Sequence, residues 1–424
     1  MYVKVGSTKY TAISRLSFAP ETDVTGSAVP VNEFVVNVRT YDHIEMGSRV
    51  SLYDDLDRLW AKYWVVYAEN VDKHTVQVRG QSALSILDHI QLDPAIYDQV
   101  PVSTAISGLL QTPLGGEYTL DPSFSNKVID GYCPKQSARV RLQWICLSIG
   151  AYLKNFFNDR LEILPLDEQA DAIIPIDRTY WKPSITYKDY VTAIKATYYE
   201  YSEETPHTTD KWVEVAGRYY VENATEITLT NDSVPQAAPE NVVVLDGMTL
   251  INADNVDEIL THLAKYYFKR VELDLDAVNN GEFLPGQRVT AFADEDTMAT
   301  GFVNSCSFKF GVQAKARIHM TPVEIRDSAM LVITYMWGNK QIGLRSFRFP
   351  IGYAYQITNP YITLTFNRHW YVFRPTQPTI SGTMQVGENR VTQPEEVALD
   401  LHAGDLMIHS VDAVALSDGI AVIA

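Results

Sequence analysis

Gly47-Ser48-Arg49-Val50-Ser51-Leu52-Tyr53-Asp54-Asp55 governs how the rest of the chain is read, because it returns as Gly286-Gln287-Arg288-Val289-Thr290-Ala291-Phe292-Ala293-Asp294. Glycine, arginine, valine, a hydroxyl residue, an aromatic and an acid recur in register. A glycine turns the chain, an alternating strand follows, and an acidic turn leads into the next strand. Each copy continues into an apolar strand (Tyr63–Tyr67; Phe302–Val303) and then a second alternating strand (Val76–Arg79; Ala314–Arg317). The repeat predicts two related β units, with residues 44–80 and 286–322 sharing one local fold. The plainer alternative is a chance likeness between two hairpins.

Outward from the first copy, Val31–Arg39 alternates, with Phe34, Val36 and Val38 on one face. Tyr63–Tyr67 and Thr75–Arg79 read as a hairpin with Asn70–Lys73 at its turn. Past Gly80 the period changes. Ser82 is placed to cap a short helix carrying Leu84, Ile86, Leu87 and Ile90. Pro101–Leu110 reads as a second helix, broken by Gly115-Gly116. Ser137 opens a third, with Val140, Trp144, Leu147 and Ala151 near one face and Gly150 close to its end. Phe156–Ile163 reads as a hairpin turning at Asn158-Asp159.

Strand character resumes over Tyr187–Glu200, followed by expected strands at Trp212–Val221 and Glu226–Thr230. Asp254 or Asn255 is placed to cap an amphipathic helix with Val256, Ile259, Leu260, Leu263 and Tyr267 on its apolar face. Strands at Arg288–Phe292 and Ala314–Met320 follow, with Gly301–Phe310 between them. From Ile325 glycine, proline and aromatic residues punctuate a β-rich tail. Its last stretch, Leu406–Ala424, is strongly apolar and needs burial. The predicted fold class is mainly β with an α/β insertion (α+β). Residues 1–80 form a first β-barrel-like domain and 81–180 a small α/β domain. Residues 181–325 form a second β-barrel-like domain with one amphipathic helix, and 326–424 a C-terminal β-rich domain.

With 424 residues, two to four domains are expected, and 46% hydrophobic against 21% charged residues excludes a disordered chain. Lys plus Arg is 35 and Asp plus Glu is 52, a formal net charge of −17 that repels polyphosphate and argues against a nucleic-acid reader. Cys133, Cys146 and Cys306 are odd in number and form no CxxC, so they read as reduced, buried thiols. There is no apolar run of about 18 residues, so no membrane insertion is expected. Met1–Gly6 lacks the apolar region of a signal peptide.

No GxSxG, HExxH, Walker A or GxGxxG pattern is present. Asp276–Gly281 has the outline of a calcium loop, but Val278 and Gln287 stand where carboxylates are needed. Asp54/Asp55 and Asp294/Glu295/Asp296 fall at strand-to-strand turns, where acids end strands and keep them soluble. The nine histidines are scattered, and Ser82 and Ser137 read as helix caps. The aromatic pairs (Tyr63-Trp64, Tyr180-Trp181, Tyr198-Tyr199, Tyr219-Tyr220, Tyr266-Tyr267 and Trp370-Tyr371) read as core and interface, or else as sugar-binding faces. No catalytic, cofactor-binding or metal-binding residue is expected, no cofactor is implied, and the chain reads as a non-enzyme.

Three places carry a resemblance to a known family. They are Val76–Leu84, where a strand gives way to a short helix; Arg139–Gly150, closing on Asn158–Ile163 with its Leu-Glu-Ile strand; and the helix at 255–270 leading to Leu284–Val289. The order of parts, over about residues 1–322, resembles the baseplate hub of bacteriophage tails and related contractile injection devices. Gln287 stands where hubs often carry Asp, and 326–424 has no counterpart. The resemblance implies a homotrimer whose two β units per chain make six around an axis, adapting a hexameric tail tube to a trimeric spike. It also implies as partners the tail-spike protein, the tail-tube or distal tail protein and other baseplate proteins, with DNA passing without specific binding. The implied location is the virion tail baseplate, assembled in the bacterial cytoplasm. The rival reading is a tail-associated receptor- or carbohydrate-binding protein, with a cell-wall hydrolase third.

Overall fold

Alternating apolar residues build the first β unit, because every second side chain of a strand points to the same face. Its strands are β1 (Tyr2–Val5), β2 (Thr8–Tyr10), β3 (Ile13–Phe18), β4 (Glu33–Arg39), β5 (Arg49–Tyr53), β6 (Leu59–Asp72) and β7 (Thr75–Gln81). Phe34, Val36 and Val38 of β4 are buried, as are Val50 and Leu52 of β5 and Val76 and Val78 of β7. The strands pair antiparallel in the order β3-β4-β7-β6-β5-β1-β2. The β6–β7 hairpin turns at Lys73-His74, so β6 runs on through most of the expected turn. The computed structural model describes residues 1–166, 171–174, 178–180, 182–293, 297–310 and 314–337, with side chains as far as Ile325, and beyond these the backbone of separate strands.

The α/β unit follows. Its helices are α1 (Leu84–Asp88), α2 (Val102–Leu114) and α3 (Ala138–Ile149). Its strands are β8 (Gln91–Leu92), β9 (Ala95–Pro101), β10 (Tyr118–Leu120), β11 (Val128–Cys133), β12 (Gln136–Ser137), β13 (Ala151–Lys154) and β14 (Leu161–Pro165). Ser137 caps α3 by accepting from the Val140 amide, and Gly115 and Gly150 end α2 and α3 in the left-handed conformation. Two expectations need correction. Ser82 caps nothing with its side chain: its hydroxyl is buried without a partner, and only its carbonyl meets the Ser85 amide. The buried side of α3 is not the Val140/Trp144 face. Ala138, Leu142, Ile145, Cys146 and Ile149 go inside together with the expected Leu147; Val140 and Trp144 are half-buried, and the expected Ala151 is buried but begins β13. The reason is that α3 lies at the centre of its unit, against α1, α2, β13 and the later helix, so its apolar surface is too broad for one stripe.

The second β unit is assembled from β15 (Asp171–Ile174), β16 (Ser184–Tyr187), and, much later, β21 (Val271–Val278), β22 (Arg288–Phe292), β23 (Thr297–Lys309) and β24 (Lys315–Trp337). Between β16 and β21 lies a separate layer of β17 (Ala193–Glu203), β18 (Trp212–Val215), β19 (Arg218–Thr230) and β20 (Val242–Leu245), with α4 (Val256–Tyr267) packed on it. Val256, Ile259, Leu260 and Leu263 bury against Ile194, Ala196 and Leu245, so the amphipathic helix serves this inserted sheet. Asn255 stands at its N-terminus, but its side chain accepts from the Asn252 amide instead of from the helix. The single strand expected over 212–221 is a hairpin, β18–β19, turning at Ala216-Gly217 with φ of 53° and 79°. Positive φ at both central residues is the geometry of a tight two-residue hairpin.

The two β units are copies. Order β16-β21-β24-β23-β22 reproduces β3-β4-β7-β6-β5, every neighbour antiparallel in both. Residues 44–80 and 286–322 thus share strand order and direction. Gly47 donates to the Val65 carbonyl and Val65 to Ser48; Gly286 donates to Val303 and Val303 to Gln287. Both glycines sit at positive φ, 81° and 89°, where a side chain is strained. Across the β5–β6 and β22–β23 ladders the copies differ by one residue. Leu52 faces Ala61 and Tyr53 faces Leu59, leaving Trp60 as a bulge, whereas Ala291/Ala299 and Phe292/Met298 pair without a gap.

That extra tryptophan points into a core common to both units. Trp60 contacts Phe157 (4.5 Å between ring centres), Phe308 (4.9 Å) and Phe310 (4.9 Å), and Phe18 stacks on Phe308 at 5.9 Å. The backbones meet too: β3 bridges β23 at Phe18–Phe308, Thr22 donates to Asn304, and Cys306 to Pro20.

Strand β24 runs without a break past residue 326 to Trp337 and pairs with β25 (Lys340–Pro350). Further strands are β26 (Tyr355–Asn359), β27 (Ile362–Phe366), β28 (Trp370–Val372), β29 (Ile380–Val386), β30 (Leu406–Met407), β31 (Val414–Ser417) and β32 (Ile420–Ile423). β29 returns to β24, and β26-β27-β28-β32-β31 form a five-stranded sheet. The burial expected of Leu406–Ala424 lies outside the described residues.

Candidate functional site

Several of the polar groups singled out in the sequence hold the fold together. Asp54 ends β5: its carboxylate accepts from the amides of Leu56 and Arg58, from the Arg58 guanidinium at 2.6 Å and from the Trp60 indole at 3.3 Å. Burial alone would raise its carboxyl, but the Arg58 amide and guanidinium, the Trp60 indole and the Leu56 amide outweigh it and hold the group below its usual range. Asp55 pairs with the chain's amino terminus. Asp294, Glu295 and Asp296 lie outside the described residues. In the calcium-loop candidate, Asn279 is fully buried and accepts from the amides of Gly281, Glu282 and Phe283, so it shapes the β21–β22 turn.

Cys133, Cys146 and Cys306 are buried and unbridged. Burial pushes the Cys133 and Cys146 thiols up to about 12 and raises Cys306 as well, which disfavours a nucleophilic thiolate. Among the described residues no group of His, Cys, Asp or Glu is placed to hold a metal ion, and no helix is long and apolar enough to cross a membrane.

The aromatic pairs divide. Tyr63 is buried on Phe34 (5.7 Å), while Trp64 lies under the Arg49 guanidinium at 3.6 Å. Tyr199 is buried, its hydroxyl on Asp246. Trp212 and Tyr219 form an edge-to-face pair at 5.2 Å, both more than two-fifths exposed, on the β18–β19 hairpin. Trp181 and the side chains of Trp370-Tyr371 lie outside the described residues.

What remains is surface suited to assembly. Strand β2 lies at one end of the main path through the large sheet and β16, with Tyr187 exposed, at the other. The inserted sheet ends on β18, carrying Trp212, and on β20, where Val244 is 59% exposed. Unpaired edges invite strand partners unless a protein blocks them. Hydrogen bonds from Thr22 to the Leu153 carbonyl and from Asn32 to Asn155 join the α/β unit to the first β unit, and an ionic clamp adds to them. Glu117, in the turn between α2 and β10, pairs with Arg49 and, at 3.0 Å, with Lys62. The repeat flagged Arg49 as a sequence match. Nothing in the local sequence indicated its partner, which lies 68 positions away.

Among solved structures, the tail protein from Neisseria meningitidis MC58 superposes with a TM-score of 0.56 at 12% identity, over 76% of this chain and 95% of its own. The fold is that of a tail protein. The 43 kDa tail protein of prophage MuSo2 from Shewanella oneidensis gives a TM-score of 0.52 at 10% identity, over 76% of this chain and 97% of its own. No family model matches the sequence, and no curated protein matches it. At such low identity the tail-protein fold is preserved by the pattern of buried positions and strand order rather than by particular residues.

Proposed function

We propose that this chain is a structural protein of a phage-type tail, serving as its baseplate hub. In this reading three chains form a ring and present six β units to a tail-tube or distal tail protein on one side. The ring grips a tail-spike protein on the other side and contacts further baseplate proteins. DNA passes its channel without specific binding, and the protein catalyses nothing. The single observation that supports the reading most is the duplication: two copies of one five-strand unit share a core, which is what a three-to-six symmetry adaptor requires. The tail-protein fold supports it, and the charge of −17 suits a surface along which DNA must not stick.

Light scattering on the isolated protein, and on its complex with the spike protein encoded beside it, tests the assembly. A trimer in the complex is expected; a monomer or dimer in both preparations rejects the hub. The exposed Trp212–Tyr219 pair favours the second reading, a receptor- or carbohydrate-binding tail protein. Glycan binding lost on Trp212→Ala would favour it. Turnover of bacterial cell wall by the purified protein, abolished by Asp54→Asn, would overturn the non-enzymatic assignment.

A further inference from the structure

The joint between the two β units has two halves, and each half occurs a second time in the chain. The first half is the edge of β23, which outruns β22 beyond Phe302. The second half is the end of β3 with the residues after it. Phe18 lies opposite Phe308 and Glu21 opposite Ser305, Cys306 donates to the Pro20 carbonyl, and Thr22 donates to that of Asn304. In the first β unit, β6 likewise outruns β5 and, past Val65, has β7 on one side and no strand on the other among the described residues. Both ladders bulge at the same place: Tyr67 faces Arg79 just after Val66, and Ser305 faces His319 just after Asn304. Val66–Asn70 therefore matches Asn304–Phe308. On the other half, Phe18 pairs with Phe34 as Ile185 pairs with Leu273, so Pro20–Thr22 matches Tyr187–Asp189. The backbone is held alike in both, Glu21 donating to the Asn32 side chain and Lys188 to the Arg270 carbonyl. These second halves are bare. Tyr187 is 63% exposed although it shares a strand face with Ile185, which packs on the core; Val66 is 37% and Tyr67 40% exposed.

We propose that the edge Val66–Asn70 of one chain receives Ile185–Asp189 of a second molecule of this protein, antiparallel, repeating between chains the joint already made within the chain. The Ala68 amide donates to the Tyr187 carbonyl and the Asp189 amide to that of Val66, as Cys306 and Thr22 do inside the chain. The occupant is a second copy of this chain because every chain carries both halves and they match residue for residue. An open strand edge beside exposed aromatic side chains is a surface that such a partner would cover. The contact is head-to-tail, using a different surface on each partner, which is the kind that can close into a ring. It deepens the ring reading proposed above and rests on it. Asn70 stands where Phe308 stacks on Phe18, so the joint between chains lacks the aromatic centre of the joint within the chain and is the weaker of the two.

The test is disulfide trapping between full-length chains. Tyr67 and Lys188 take the places of Ser305 and Glu21, which lie directly opposite one another. Such residues stand about 4.5–5.5 Å apart between Cα atoms, within reach of a disulfide. Tyr67→Cys protein and Lys188→Cys protein are mixed, assembled with the spike protein and oxidised; the chain's own three cysteines are buried. A linked dimer is expected in the mixture and little in either variant alone. Little is expected also when Leu56→Cys, exposed in the turn before β6, replaces Tyr67→Cys. Tyr187→Asp, at an exposed position that leaves the fold intact, should weaken assembly about tenfold or more in light scattering. A trimer by light scattering whose mixture gives no linked dimer overturns the proposal and leaves the ring standing. Linkage as strong in either variant alone overturns it in favour of a two-fold contact, and linkage as strong with Leu56→Cys reduces it to random collision. A monomer even with the spike protein rejects the ring reading itself and this contact with it.

Discussion

In the first β unit, the strand beside β5 is the chain's own β1, running antiparallel; in the second, the strand beside β22 is β15, arriving from the α/β unit and running parallel. The five strands inward of that position agree in order and direction. The slot between β3 and β4 holds a loop over residues 19–32, whereas the matching slot between β16 and β21 holds the entire inserted sheet and α4. The five-strand core is therefore the conserved mechanical part, and its edges and connections are where the copies differ. An edge strand needs only to satisfy a row of amides and carbonyls, which either direction can do. The inner strands must also match a buried face, and a change of register would expose it.

The largest effect should come from Trp60→Ala, which empties the joint between the copies and should cost about 3–5 kcal/mol. Urea unfolding followed by fluorescence and circular dichroism should show both units lost together. Two separate transitions, one unchanged by the mutation, would break the idea of a shared core.

The paired glycines sharpen the comparison next. Gly47→Ala should cost about 1–2 kcal/mol from the left-handed backbone alone. Gly286→Ala should cost about 2–4 kcal/mol, because its new Cβ also runs into the Tyr152 ring, whereas Gly47 faces open space. Equal losses in thermal melts would show that the two turns are more alike than their surroundings.

Asp54 has no counterpart, since Ala293 fills the matching turn, where its amide likewise donates to the residue four positions on. Asp54→Asn should cost about 1.5 kcal/mol near neutral pH. Because the folded carboxyl is held low, the stabilisation is present above the unfolded pKa of about 4 and disappears as pH falls through the folded value. Stability measured from pH 6 down to pH 2 should therefore fall less steeply in the variant than in the parent. Parallel curves would remove Asp54 from the acid response.

The smallest effect is expected from Glu117→Gln, at most about 1 kcal/mol, since the pair with Arg49 and Lys62 is partly exposed. Added salt should narrow the difference between parent and variant. A difference that salt leaves unchanged would mean that the clamp acts by packing.

Much of this was legible in the sequence. The glycine–arginine–valine register identified the copies, and the two-residue alternation of Phe34, Val36 and Val38 placed them inside. The spacing of Val256, Ile259, Leu260 and Leu263 marked α4, and Ser137 marked the start of α3. These features are local, repeating every two or 3.6 residues, so a single stretch of chain contains the whole signal. The β18–β19 turn escaped because Ala216-Gly217 lacks the Asn-Gly or Asp-Gly that usually announces one. The tertiary structure alone decided that β15 would lie parallel to β22 and that Trp60 would bulge into a core made by both copies. It also decided that Glu117 would find Arg49. Each of these depends on partners far apart in the chain, brought together by burial of apolar surface that has no direction along the sequence.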